Sequence, residues 1–186
     1  MAQMITMDVL DEMWWPKARG LYHEAFPHGR KPDSIIAAMF ERKMSYLHLI
    51  VQGEIVIAMA ITGRTGPSKS LLLIDYLAVR EDCRGQGLGK DLVEEIKLWA
   101  EAKRGHSLSG MIVEVESEET PENRKRILFW EKCGFTVTDY VHTYIWVPEP
   151  YRAMYMKLEG GGPAFHTDGE SLFKHITSFH NQAFRK

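Results

Sequence analysis

Leu71 to Val79 is an almost unbroken apolar run, with Asp75 its one charge. Such a run reads as a strand buried on both faces. It leads through the turn Arg84-Gly85-Gln86-Gly87-Leu88-Gly89-Lys90 into an amphipathic helix predicted from about Gly87 to Lys103. Leu88, Leu92, Val93, Ile96, Trp99 and Ala100 form the stripe of that helix expected to be buried. The order along the chain is thus buried strand, glycine turn, helix. A glycine-rich turn that opens a helix also presents backbone N–H groups to an anion, and the missing side chains let a phosphate approach. Two phosphate motifs fail here. The dinucleotide fingerprint counted from Gly85 requires glycine at Lys90, and the Walker A pattern requires glycine at Arg84 and Ser or Thr at Asp91.

The chain has 186 residues, room for one domain with a sizeable core. Its net charge of −2 with neutral histidines does not suggest a surface that tracks phosphates, so no nucleic-acid partner is expected. No apolar run approaches the length of a membrane span. The first ten residues carry Asp8 and lack the basic and apolar regions of a signal peptide, which points to the cytoplasm. Cys83 and Cys133 read as free thiols, and the eight histidines show no HExxH pattern, so no metal is expected.

Around this centre the pattern predicts a helix from about Asp8 to Phe26, kinked or split by Pro16 and ended by Pro27. A second helix, opened by Pro32, runs to about Arg42. Strands over Tyr46–Val51 and Ile55–Thr62 are joined by Gln52-Gly53-Glu54 as a hairpin. A strand over Met111–Val115 follows, then a helix from Pro121 to Lys132. Strand-like runs cover Phe135–Trp146 and Ala153–Leu158. Gly160-Gly161-Gly162-Pro163 reads as a linker that divides the chain into 1–159 and 160–186. Beyond it, Thr167 and Glu170 suggest a capping box for an amphipathic helix over Asp168–Phe184. That helix packs on its own domain or on a second copy, as a homodimer element.

The turn does satisfy the pattern Q/R-x-x-G-x-G/A through Arg84, Gly87 and Gly89. Together with Asp75-Tyr76-Leu77-Ala78-Val79 it resembles the acetyl-CoA motif of the GCN5-related N-acetyltransferase (GNAT) superfamily. A second stretch, Val113-Glu114-Val115, Asn123 and Phe129 to Phe135, is similar to that superfamily's L-E-V…N-x-x-A-x-x-F-Y-x-x-x-G-F. The resemblance covers about Met4 to Leu158. It implies an α/β (α+β) fold: a mixed, mostly antiparallel sheet with splayed central strands, flanked by helices, here with an added C-terminal helix. It implies that acetyl-CoA is bound by the backbone of Leu77, Ala78 and Val79 and by Arg84, Gly85, Gln86, Gly87, Leu88, Gly89 and Lys90, with Asn123 and Trp130 contributing. The stretch Ala25-Phe26-Pro27 and Arg30-Lys31-Pro32 also resembles some members, with no chemistry to assign to it.

The implied reaction is attack by an amine on the thioester, which needs a base for the ammonium and a fate for the thiolate. Glu114 matches the glutamate that serves as base in some members, and Asp75 is the alternative. Asp75 also reads as a salt-bridged buried acid. Glu116 lies on the same strand face as Glu114 and could bind a cationic substrate instead. The family's tyrosine falls on Trp130, whose indole N–H cannot serve as a proton-transfer acid. Tyr144, Tyr140 and Tyr76 are the substitutes; otherwise the thiolate leaves to water. The leading expectation is N-acetylation of a small amine. The alternatives are a protein or peptide acceptor, a non-catalytic acyl-CoA-binding module, or aminoacyl-tRNA, which the low charge disfavours.

Overall fold

The computed structural model describes residues 2–102, 108–159 and 162–185. Lys103 and two of the linker glycines, Gly160 and Gly161, lie outside them. Seven strands among the described residues pair in the order β1-β2-β3-β4-β5-β7-β6, and the chain divides into two compact units. β4, Leu71–Val79, belongs to both: Leu71–Leu73 to the second unit, the rest to the first.

In the first unit, β2 (Ser45–Gln52) and β3 (Ile55–Thr65) make the expected hairpin, with Leu49 opposite Met59. β1, Ala2–Met7, is an edge strand antiparallel to β2. Central β2 is buried on both faces, Leu47 and Leu49 among the core residues. Its one imidazole, His48, is fully buried and satisfied by the hydroxyls of Thr6 (2.9 Å) and Thr62 (2.8 Å). α1 spans Trp15–Ala25, and Pro16 opens it instead of kinking a longer helix. The physical reason is that a proline in the first turn forfeits an N–H that has no partner there anyway. The residues expected to start that helix are used differently: Asp11 Oδ1 accepts from the Trp14 N–H at 2.6 Å. α2, Asp33–Glu41, starts after Pro32 and buries Ile36, Met39 and Phe40. α3, Leu88–Ala102, follows β4 and the glycine turn; its part in this unit, up to Ile96, buries Leu92, Val93 and Ile96.

The second unit is built on β5, Gly110–Glu116, which pairs in parallel with β4 from Leu71↔Gly110 to Leu73↔Ile112. On its other edge, β5 pairs antiparallel with β7, Tyr151–Lys157, with Glu114 opposite Ala153. α4, Pro121–Lys132, is capped by Thr120, whose hydroxyl accepts from the Asn123 N–H. The expected strand over Phe135–Trp146 contracts to β6, Thr136–Val137, on the edge of β7. After it the Thr138 hydroxyl donates to the Ala153 carbonyl, and a single bridge joins His142 to Tyr151. The alternating aromatics of this stretch, which imitate a strand in sequence, pack on a helix instead. That helix is α5, Gly169–Ala183. Its cap is Asp168, whose carboxylate accepts from the Ser171 N–H at 2.9 Å, one residue later than the predicted Thr167. Leu172, Phe173, Ile176, Phe179 and Ala183 are all buried within this one chain. No helix among the described residues is long and apolar enough to cross a membrane.

Candidate active site

In the first unit the turn after β4 carries two glycines in left-handed backbone. Gly85 and Gly87 sit at φ +77° and +85°, where L side chains are strained. A β-carbon at either would meet no atom within 4 Å, so it is the backbone conformation, together with open space beside it, that calls for glycine. Gly89 is buried in the first turn of α3, and the first helical bond runs from the Asp91 N–H to the Gly87 carbonyl at 3.0 Å. The amides of a first helical turn have no intrahelical acceptor and carry the positive end of the helix dipole. The Arg84 guanidinium donates to the Val79 carbonyl at 3.2 Å, tying the turn to the end of β4. Ala78 is buried, with Leu77 and Val79 half-buried on either side. Gln86 and Lys90 are exposed.

Asp75 is engaged elsewhere in that unit. Both its oxygens accept from Lys31 Nζ at 2.8 Å, and the two side chains are only 4% and 6% exposed. Lys31 is further held by its backbone. Its N–H donates to the Tyr76 hydroxyl at 2.9 Å, and its carbonyl accepts from the Tyr22 hydroxyl at 2.8 Å. Tyr76 stands edge-on to Tyr22 and Phe26, each at 4.9 Å. Burial, followed by the Asp75 charge, holds the Tyr76 phenol far above its ordinary range, so it stays protonated. The segment that sequence reasoning left without chemistry is therefore the mooring of the first two helices on β4. The signal was present as a lone lysine between apolar and proline residues, but its partner, 44 positions away, is not visible in sequence.

In the second unit Glu114 is the centre of a polar cluster. Tyr144 donates its hydroxyl to Glu114 Oε2 at 2.7 Å, and His180 Nε2 lies 2.6 Å from Oε1. The Glu114 and His180 side chains are each about one-fifth exposed, buried enough to be ordered yet open to solvent. Tyr144 is positioned by aromatic packing: edge-on to His142 at 4.6 Å, which in turn stacks on Phe173 of α5 at 4.4 Å. Tyr151 lies beside them, and burial followed by the charges of Glu114 and Glu116 pushes its phenol up to about 12. The end of β5 thus gathers acidic side chains. Glu116 is part of it, in a loose surface pair with Arg126 at 3.4 Å. His180 was missed by sequence reasoning, because nothing in the helical pattern of α5 distinguishes it from a solvated histidine.

The other predicted residues of this unit have structural partners. Asn123 is buried, and its side-chain amide donates to the Glu118 carbonyl at 3.1 Å, closing the loop before α4. Trp130 is buried between Phe129 and Phe135, edge-on to both at 5.1 Å. Tyr140 is partly exposed and packs against His142 and Phe173.

Residues 44–137 match the family model described as "Acetyltransferase (GNAT) domain", just over half of the chain. No curated protein matches it in sequence. Among solved structures, the ribosomal-protein-S18-alanine N-acetyltransferase of Escherichia coli is similar at TM-score 0.64 and 19% identity, over 89% of this chain and 99% of that one. An IAA acetyltransferase from Bacillus cereus is similar at TM-score 0.61 and 18% identity, over 85% and 100% of the two chains. A GNAT-family protein from Bacteroides thetaiotaomicron is similar at TM-score 0.65 and 20% identity, over 97% and 94%. At these identities the structural likeness speaks for the fold alone. With the family match, the glycine turn and the seven-stranded sheet in agreement, the chain belongs to the GNAT family of acetyltransferases.

Proposed function

We propose that this acetyltransferase transfers the acetyl group of acetyl-CoA to a primary amine of a small molecule, with Glu114 as the base. The observation that carries the reading is the Glu114 carboxylate held between Tyr144 and His180 in a field of acidic side chains. A carboxylate fixed on both oxygens loses little entropy on receiving a proton, and the acidic surroundings favour an ammonium guest. Acetyl-CoA brings the thioester. The amides of residues 86–90 hold its pyrophosphate, and the backbone of Leu77 and Val79 pairs with its pantetheine arm. The open space at Gly85 and Gly87 supports that fit.

Glu114 takes one proton from the ammonium and leaves a neutral amine. As the C–N bond forms and the C–S bond breaks, Tyr144 gives its hydroxyl proton to the departing thiolate. The protonated Glu114 then restores Tyr144, and the second amine proton passes to solvent. Tyr144 thereby fills the role for which Trp130, buried between two phenylalanines, has no chemistry. Asp75 is assigned to the Lys31 pair and not to catalysis.

The test is thiol release from acetyl-CoA with benzylamine, spermidine, an aminoglycoside and a tetrapeptide bearing an N-terminal alanine. Release with one of the small amines at a kcat/KM above that of the peptide is the expected result. Turnover confined to the peptide would overturn the small-molecule assignment.

A further inference from the structure

We infer that His180 is a positioning residue for the base: the C-terminal helix α5 aims the Glu114 carboxylate and tunes its basicity through the Nε2–Oε1 contact. The inference rests on the reading of Glu114 as the base. Three observations carry it. The contact is short, 2.6 Å, and joins residues 66 positions apart, so it is a tertiary feature and not a by-product of local structure. Glu114 lies inside the region that defines the family, residues 44–137, whereas both groups that hold its carboxylate, Tyr144 and His180, lie outside it. The helix itself is docked with little freedom. Gly169 at its start approaches residues 138–140 so closely that a β-carbon would meet the Thr138 hydroxyl at 2.6 Å. Its Phe173 ring lies against His142, its His175 carbonyl accepts from the Thr65 hydroxyl at 2.8 Å, and Phe179, next to His180, is buried.

An imidazole in this place acts in two ways. Its N–H fixes the carboxylate's orientation, which an unaided glutamate with three rotatable bonds would not keep. Its charge state also sets how strongly Glu114 attracts a proton. A cationic His180 stabilises the carboxylate and makes it a poorer base, and a neutral His180 leaves it a better one. Among the described residues, Tyr144 also holds Glu114, and Tyr151 of β7 lies beside Tyr144 with Glu114, Glu116, Glu149 and Arg126 as its charged neighbours. His142 lies behind Tyr144.

Two measurements on the full chain test this. The first is the carboxyl titration of Glu114 followed by 13C NMR. His180→Phe should move its midpoint toward higher pH by about one pH unit, and His180→Gln, which keeps an N–H near the Nε2 position, should move it less. The second is turnover on the fastest acceptor of the panel above. His180→Phe should lose roughly ten- to hundredfold in kcat/KM with acetyl-CoA affinity unchanged. His180→Gln, which keeps a donor toward Oε1, should keep most of the activity. A Glu114 titration that does not respond to either variant overturns the inference, as do equal losses in both with the wild-type pH profile. If Glu114→Gln itself retains full turnover, the base assignment has failed and the role of His180 fails with it. If Glu114→Gln is inactive while His180→Phe is fully active, only the inference is wrong.

Discussion

Asp75→Asn removes the charge that faces Lys31 Nζ and leaves the ammonium in a site where the two side chains are 6% and 4% exposed. The Lys31 backbone is itself held by Tyr22 and Tyr76. Breaking a buried pair by removing one partner costs about 3–5 kcal/mol. In a chain of this size each kcal/mol is worth about 2–4 °C, so the melting temperature should fall by roughly 6–20 °C. The double variant Lys31→Met, Asp75→Leu removes both charges and keeps most of the volume, and its stability should return to within about 2 kcal/mol of the wild type. The assay is urea unfolding of both variants beside thiol release at a temperature where all are folded. On this account the single variant is unstable, and the double variant is both stable and active. Loss of turnover in both, with stability changed by less than about 0.5 kcal/mol, would refute the reasoning and make Asp75 the base.

Gly87→Val places a β-branched side chain at φ +85° with no clash, so the domain should remain folded at a cost of about 1–3 kcal/mol. Its coenzyme A affinity, read by calorimetry, should fall at least tenfold, and an unchanged affinity would make the turn a mere connector. Tyr144→Phe, which deletes the donor at Glu114 Oε2, should lower kcat by roughly ten- to hundredfold without changing the melting temperature by more than a few degrees. The Tyr151 phenol, raised to about 12 from an ordinary 10.0, favours the folded state fully below pH 10. That contribution is lost as pH rises from 10 through the folded value, so Tyr151→Phe should flatten the alkaline decline in stability between about pH 10 and 12. An identical decline in the variant would show that the phenol is solvated.

What sequence could and could not disclose follows from the range of each interaction. Leu71–Val79, the glycine turn and α3 are specified by neighbours in the chain, through apolar continuity, positive φ and 3.6-residue periodicity, and they form as predicted. Proline signals were legible where they set helix starts, at Pro32 and Pro121, and misleading at Pro16, where a start was taken for a kink or split inside a longer helix. β1 carries no turn signal and alternates weakly, because an edge strand is half solvated. The stretch after β6 has the alternation of a strand in Tyr140, His142, Tyr144 and Trp146, yet Tyr140 and His142 pack on Phe173 of α5, Tyr144 serves Glu114, and Trp146 is exposed. Glu114 itself was legible through resemblance. Its partners were not, since Tyr144 and His180 meet it only after α5 has docked, and no local pattern encodes that encounter.

The most direct test of the account is the pH profile of turnover in Glu114→Gln, taken with its acetyl-CoA affinity. Glutamine keeps the shape and the Tyr144 contact but cannot accept the ammonium proton. The account predicts a loss of roughly 10²–10⁴-fold in kcat, partly restored at high pH as more acceptor amine becomes neutral, with acetyl-CoA bound as tightly as before. Wild-type turnover in that variant across the pH range would contradict it.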